Sequence, residues 1–158
     1  MDESLIAFDV LSDNGKPTEM FGDVLPESEA QALAVELTDL STQAQAAISE
    51  VFNRQISLDN NGMRAVDSIV QGMWAEEWNP HTGNLRLFTT HFGSILAVAM
   101  LSVPGTHAIF RSSKRLDHFS VWLPSRNREY FPFHKAYKCL TAPVGESFSQ
   151  MLADIQRR

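Results

Sequence analysis

Leu85–Val103, LRLFTTHFGSILAVAMLSV, followed at once by Pro104-Gly105, is the stretch from which the fold can be read. Phe88, Phe92, Ile95, Leu96, Ala99, Met100 and Val103 fall at i, i+4, i+7, i+8, i+11, i+12 and i+15. That spacing puts seven apolar side chains on one face of a long helix. Gly93 and Ala97, four residues apart, keep the helix thin enough for another element to approach closely. Pro104-Gly105 stops it, because proline lacks an N–H donor and glycine releases the chain from helical geometry.

After Gly105 the apolar period changes from 3.6 to 2. Thr106–Ser112, His118–Leu123 and Glu129–Lys135 are expected to be three strands of an antiparallel meander, with turns at 113–117 and 124–128. A five-residue second turn places Phe119 opposite Phe133 and Val121 opposite Phe131. Phe119, Val121, Leu123, Phe131 and Phe133 then face the core. The other face carries Trp122 opposite Tyr130 and His118 opposite His134, edged by Arg126, Arg128 and Lys135. A one-residue slip would exchange the two faces.

Upstream, Pro26-Glu27-Ser28-Glu29 opens a helix with proline and carboxylates where the helix dipole favours them. Its apolar period runs from Leu33 to about Phe52. A second stripe, Met63, Val66, Ile69, Val70, Met73 and Trp74, follows Asp59, a candidate cap. Residues 5–11 and Glu19-Met20-Phe21, separated by Asn14-Gly15, suggest an N-terminal hairpin or arm within residues 1–25. Phe148, Met151, Leu152 and Ile155 form the face of a closing helix. The expected architecture is α+β in a single domain spanning residues 1–158. An acidic helical part (27–78) joins a helix–meander–helix part (85–158).

Charge divides along the same line. Residues 1–80 hold fifteen acidic side chains against three basic ones, a net −12. Residues 81–158 hold four acidic against ten basic, a net +6. The overall −6 therefore averages two unlike surfaces. Such a split points to a partner of one sign, or to two faces that attract each other. The acidic N-terminus, Asp2 and Glu3, lacks the basic region of a Sec signal. No apolar run reaches the ~18 residues of a membrane span. Cys139 is the single cysteine, so an internal disulfide is excluded. A cytoplasmic location is the expectation.

No arrangement of residues fixes a reaction. There is no Gly-x-Ser-x-Gly, glycine-rich phosphate loop, His-Glu-x-x-His or complete calcium loop. His118 and His134 are weak zinc candidates without a third ligand at a recognisable spacing. Glu76-Glu77 are neighbours on a helix end and do not face each other as an acid–base pair would. Arg111, Lys114, Arg115, Arg126 and Arg128 beside Trp122 and Tyr130 suggest a stacking surface for nucleic acid. The acidic chain as a whole, with Asp117 and Glu129 among those cations, argues against it.

His91-Phe92-Gly93-Ser94-Ile95-Leu96, Gly105 before a strand, Tyr130-Phe131-Pro132-Phe133-His134-Lys135 and Gly145-Glu146-Ser147-Phe148 together resemble a small bacterial domain family of unknown function. Its pattern is a Phe-Gly helix, a short meander with a Phe-Pro-Phe strand, and a Gly-Glu-x-Ser turn into a closing helix. The resemblance covers roughly residues 60–155. It implies folding roles for these residues and supplies no catalytic ones. Small acidic domains of this kind are often immunity proteins that neutralise a toxin, an argument by association.

The leading expectation is a non-enzymatic protein-binding domain that uses no cofactor, an immunity- or antitoxin-like inhibitor acting by occlusion. Its candidate partner-binding residues are Trp74, Glu76, Glu77, Trp78, Trp122, Arg126, Arg128 and Tyr130. A secretion chaperone or adaptor is the alternative, and an enzyme or metal-binding protein using His118/His134 the third reading. Neither nucleic acid nor membrane is the expected partner.

Overall fold

The computed structural model describes residues 9–11, 15–80, 83–142 and 147–157. Among the described residues, nine strands and α-helices follow the chain: β1 (Asp9–Leu11), α1 (Glu27–Phe52), α2 (Asn60–Ala75), α3 (Leu85–Leu101), β2 (His107–Ile109), β3 (Ser120–Leu123), β4 (Arg128–Tyr130), α4 (Pro132–Thr141) and α5 (Phe148–Gln156). The fold is α+β.

The helix starts follow local chemistry. Pro26 precedes α1 in an extended conformation, and Glu27 and Glu29 occupy its first turn. The Asp59 carboxylate accepts the Gly62 N–H at 2.9 Å and so caps α2. Gly62 is required there: a Cβ would lie 1.5 Å from the Ser57 carbonyl oxygen. The α3 helix is the centre of the molecule. It packs against α1, α4, α5 and β3. Phe92, Ile95, Leu96, Ala97, Ala99 and Met100 are fully shielded. One apolar cluster runs from Leu37, Ala44 and Ile48 of α1 through α2 and α3 to Phe148 and Ile155 of α5.

The meander is present, with a fourth strand added. The sheet order is β1-β4-β3-β2, antiparallel throughout. Of the expected N-terminal hairpin or arm, the described residues show no pairing of 9–11 with 19–21. Asp9–Leu11 pairs with β4, and Glu19–Gly22 makes a turn closed by the Gly22 N–H on the Glu19 carbonyl (3.1 Å). Residues 5–8 and Asn14 of the expected hairpin lie outside the described residues.

The third strand also differs from expectation. It ends at Tyr130, and Pro132 then opens α4. Proline at the first helical position has no N–H to lose, and its fixed φ suits the helix. Phe133, Ala136 and Leu140, at i, i+3 and i+7, are the buried face that results. The strand register is Val121↔Tyr130 and Trp122↔Glu129, one residue from the expected pairing. All four β3 residues are buried, so both faces of this strand are covered and neither is a solvent face. The five residues expected in the core are there nonetheless. Phe119 and Phe133 do meet edge to face, at 6.2 Å, but as the residue entering β3 against a side chain of α4 rather than within a strand pair.

Two polar devices lock the parts together. Asp67 of α2 receives the Phe148 N–H (2.7 Å), the Ser149 N–H (3.2 Å) and the hydroxyls of Ser147 (2.9 Å) and Ser149 (2.6 Å). A carboxylate is thus set at the positive end of α5. Ser147 itself caps the helix through the Gln150 N–H. The second device is a buried ion pair, Arg111–Glu129, at 2.6 Å. Arg111 also donates to Ser120 Oγ (3.0 Å) and to the carbonyls of Thr18 (2.8 Å) and His118 (3.3 Å). Glu129 accepts the Thr18 N–H (2.7 Å) and the Ser120 hydroxyl. The pair joins the segment before α1, the 111–119 loop and β4.

Candidate functional site

The turn 114–117 separates two grooves. The larger, about 770 Å³, is lined by Leu85, Arg86, Thr89 and Thr90 of α3, by Lys114–Asp117, and by Phe133, His134 and Tyr137 of α4. Arg86, Thr89 and Thr90 share one side of the first turns of α3 because they stand at i, i+3 and i+4. Phe133 and His134 are buried at its base, and Tyr137 is half-buried. The smaller groove, about 420 Å³, lies between the same turn and α1, whose wall carries Glu36, Asp39 and Gln43.

The turn is fixed on both sides. The Lys114 N–H bonds the Arg111 carbonyl at 2.9 Å, and Lys114 adopts a left-handed backbone, φ 58°. Arg115 grips Asp117 with two hydrogen bonds, Nε–Oδ1 at 2.9 Å and Nη2–Oδ2 at 2.5 Å. Burial raises the Asp117 pKa, but the Arg115 hydrogen bond and the nearby His118, Arg115 and His134 outweigh it, so the carboxyl sits below its usual range. Burial lowers the His118 pKa, against the pull of Asp117. The His118 Nδ1 pairs with the Ser113 hydroxyl at 2.8 Å.

His118 and His134 are not the cross-strand pair that was expected. His118 ends a short 3-10 turn, and His134 lies on α4. Phe21 stacks on both rings, at 5.0 and 6.1 Å, and meets Phe131 at 5.1 Å. Among the described residues, no group of three or more His, Cys, Asp or Glu is placed to hold a metal ion. No described helix is long and apolar enough to cross a membrane.

The expected partner-binding residues do not form one surface. Trp122 and Tyr130 are buried, which corrects their expected role as partner-binding residues at the surface. The Tyr130 hydroxyl donates to Asp154 Oδ2 at 2.7 Å. Arg126 donates to the Asp154 carbonyl at 2.5 Å, and Arg128 is half-buried on β4. Trp74 and Trp78 turn inward to α4, their indole N–H groups bonding the Cys139 (3.2 Å) and Leu140 (2.8 Å) carbonyls. Glu76 and Glu77 are exposed beside them. Of the basic cluster, Arg111 is buried in its ion pair, while Lys114 and Arg115 remain at the surface. Sequence reasoning missed Arg86, Thr89, Thr90 and Tyr137. The available signal was a polar i, i+3, i+4 set at the head of the most apolar helix. No protein-family model, curated protein or solved structure matches the chain, so the site is interpreted from its own geometry.

Proposed function

We propose that this protein is a non-enzymatic protein-binding domain, an immunity- or antitoxin-type inhibitor that covers a basic surface of its partner, such as a toxin. The observation that carries the reading is the charge of α1. This 26-residue helix bears Glu27, Glu29, Glu36, Asp39 and Glu50, and no Lys, Arg or His. All five are exposed, and none has an ion-pair partner among the described residues. Glu27 and Glu29 stand in the first turn, where the helix dipole favours them, but local energetics does not account for the other three. Glu36 and Asp39 are like charges at i, i+3, and Glu50 stands at the helix end where the dipole disfavours an anion. The ion pairs Arg111–Glu129, Arg115–Asp117, Arg126–Asp154 and Arg157–Asp154 all lie within the second half of the chain. An anionic face whose carboxylates make no ion pair within the described residues steers a cationic partner and speeds encounter.

The test is affinity capture of tagged full-length protein from its native host, at about 0.05 M and about 0.5 M salt. The expected result is one stoichiometric protein held at low salt and released at high salt. Capture of nucleic acid in its place, or a protein held equally at both salts, would overturn the reading.

A further inference from the structure

The larger groove has the makings of a small-molecule site, independent of the reading of α1. Its volume, about 770 Å³, lies in the range of pockets that enclose a small molecule. Two cations enter it from different elements, Arg86 from α3 and Lys114 from the turn. Neither has an ion-pair partner among the described residues, whereas Arg115 beside them is occupied by Asp117. Phe133 and His134 close the base from below, and the half-buried Tyr137 offers a flat ring surface at the side.

The turn that presents Lys114 is held in advance. Its left-handed backbone is one that L-residues avoid, and it hangs from Arg111, whose guanidinium is fixed by Glu129 and Ser120. Preorganisation of this sort removes the entropy of ordering a loop at binding. Two unpaired cations beside an accessible ring match a dianion attached to a planar group. We propose that the groove binds a phosphomonoester carried on a flat ring. Arg86 and Lys114 neutralise the phosphate, and Tyr137 flanks the ring.

The experiment is titration of the full-length protein with phenyl phosphate, adenosine 5′-monophosphate, inorganic phosphate and phenol, followed by amide NMR and calorimetry at low salt. The expected result is saturable binding of the two phosphomonoesters, with shifts gathered at residues 85–90, 114–117 and 133–137. Inorganic phosphate binds the same place more weakly, and phenol does not saturate. The tighter of the two esters identifies the ring as aryl or nucleobase. Arg86→Ala with Lys114→Ala weakens binding by at least about tenfold, and Lys114→Arg alone retains it. Both side chains are exposed, so an unchanged amide spectrum elsewhere verifies the fold. Absence of saturation by either ester up to about 10 mM would overturn the proposal. So would equal binding of phenol, or affinity unaltered in the double variant.

Discussion

The α1 and α3 helices pack against each other and treat solvent in opposite ways. The longer one, α1, buries only Leu37, Ser41, Ala44 and Ile48 of its 26 residues. The shorter, α3, buries eight of 17, including the unbroken run Phe92–Ala97. Length is therefore a poor guide to structural weight here. The α3 helix holds the fold together from within. The α1 helix completes the core with one narrow stripe and leaves the rest of its surface, Val35 at 61% and Val51 at 70% exposure among it, to water or to a partner.

The contrast is most easily broken in α3. Phe92 is fully shielded and stacks on Phe88 (5.9 Å) and against Phe148 (5.9 Å). Phe92→Ala should cost about 3–5 kcal/mol in urea unfolding. Val35→Ala on α1 should stay within about 0.5 kcal/mol. Comparable losses at both positions would erase the distinction. Gly93→Ala is the next test. A Cβ there would lie 2.4 Å from Cδ1 of Phe133, itself buried, so α3 and α4 would have to separate. The expected loss is about 1–3 kcal/mol, partly recovered when Phe133→Leu is added. Native stability in the Gly93→Ala variant would show that this close approach is dispensable.

Asp67→Ala probes the α2–α5 lock and should lower stability by about 1–2 kcal/mol, with exchange of the α5 amides rising first. A uniform rise across all helices would instead mean that α5 has no separate opening.

A smaller effect concerns pH. The folded state holds His118 below the ordinary imidazole value of 6.5, as it does His91. The unfolded chain then binds the proton more readily. Stability is full above pH 6.5 and declines as pH falls from there toward the folded value. His118→Gln should shallow the decline between about pH 7 and about pH 5. An unchanged slope would assign it to other groups.

The helices were legible because two kinds of signal agreed. Apolar period set the faces, and Pro26, Asp59 and Pro104-Gly105 set the ends. The face of α5, Phe148, Met151, Leu152 and Ile155, is buried as its spacing implies. Phe131–Lys135 was not legible for a physical reason. Its short alternation fits a strand, while Pro132 and the spacing of Phe133, Ala136 and Leu140 fit a helix, and packing under α3 decided between them. The register of β3 failed differently. Alternation carries information only when one face meets water, and here neither does. Arg111 reads as a surface cation until Glu129 and Ser120, 18 and nine residues away, meet it in the interior. The larger groove draws on three segments spread from Leu85 to Tyr137, which no local pattern connects.

The most direct test of α1 as an open recognition face is the Glu36→Lys, Asp39→Lys, Glu50→Lys variant, assayed for both unfolding midpoint and salt-sensitive partner capture. The account predicts a near-native midpoint, because all three side chains are exposed, and loss of the captured partner. A partner retained at native strength by the folded variant would contradict it.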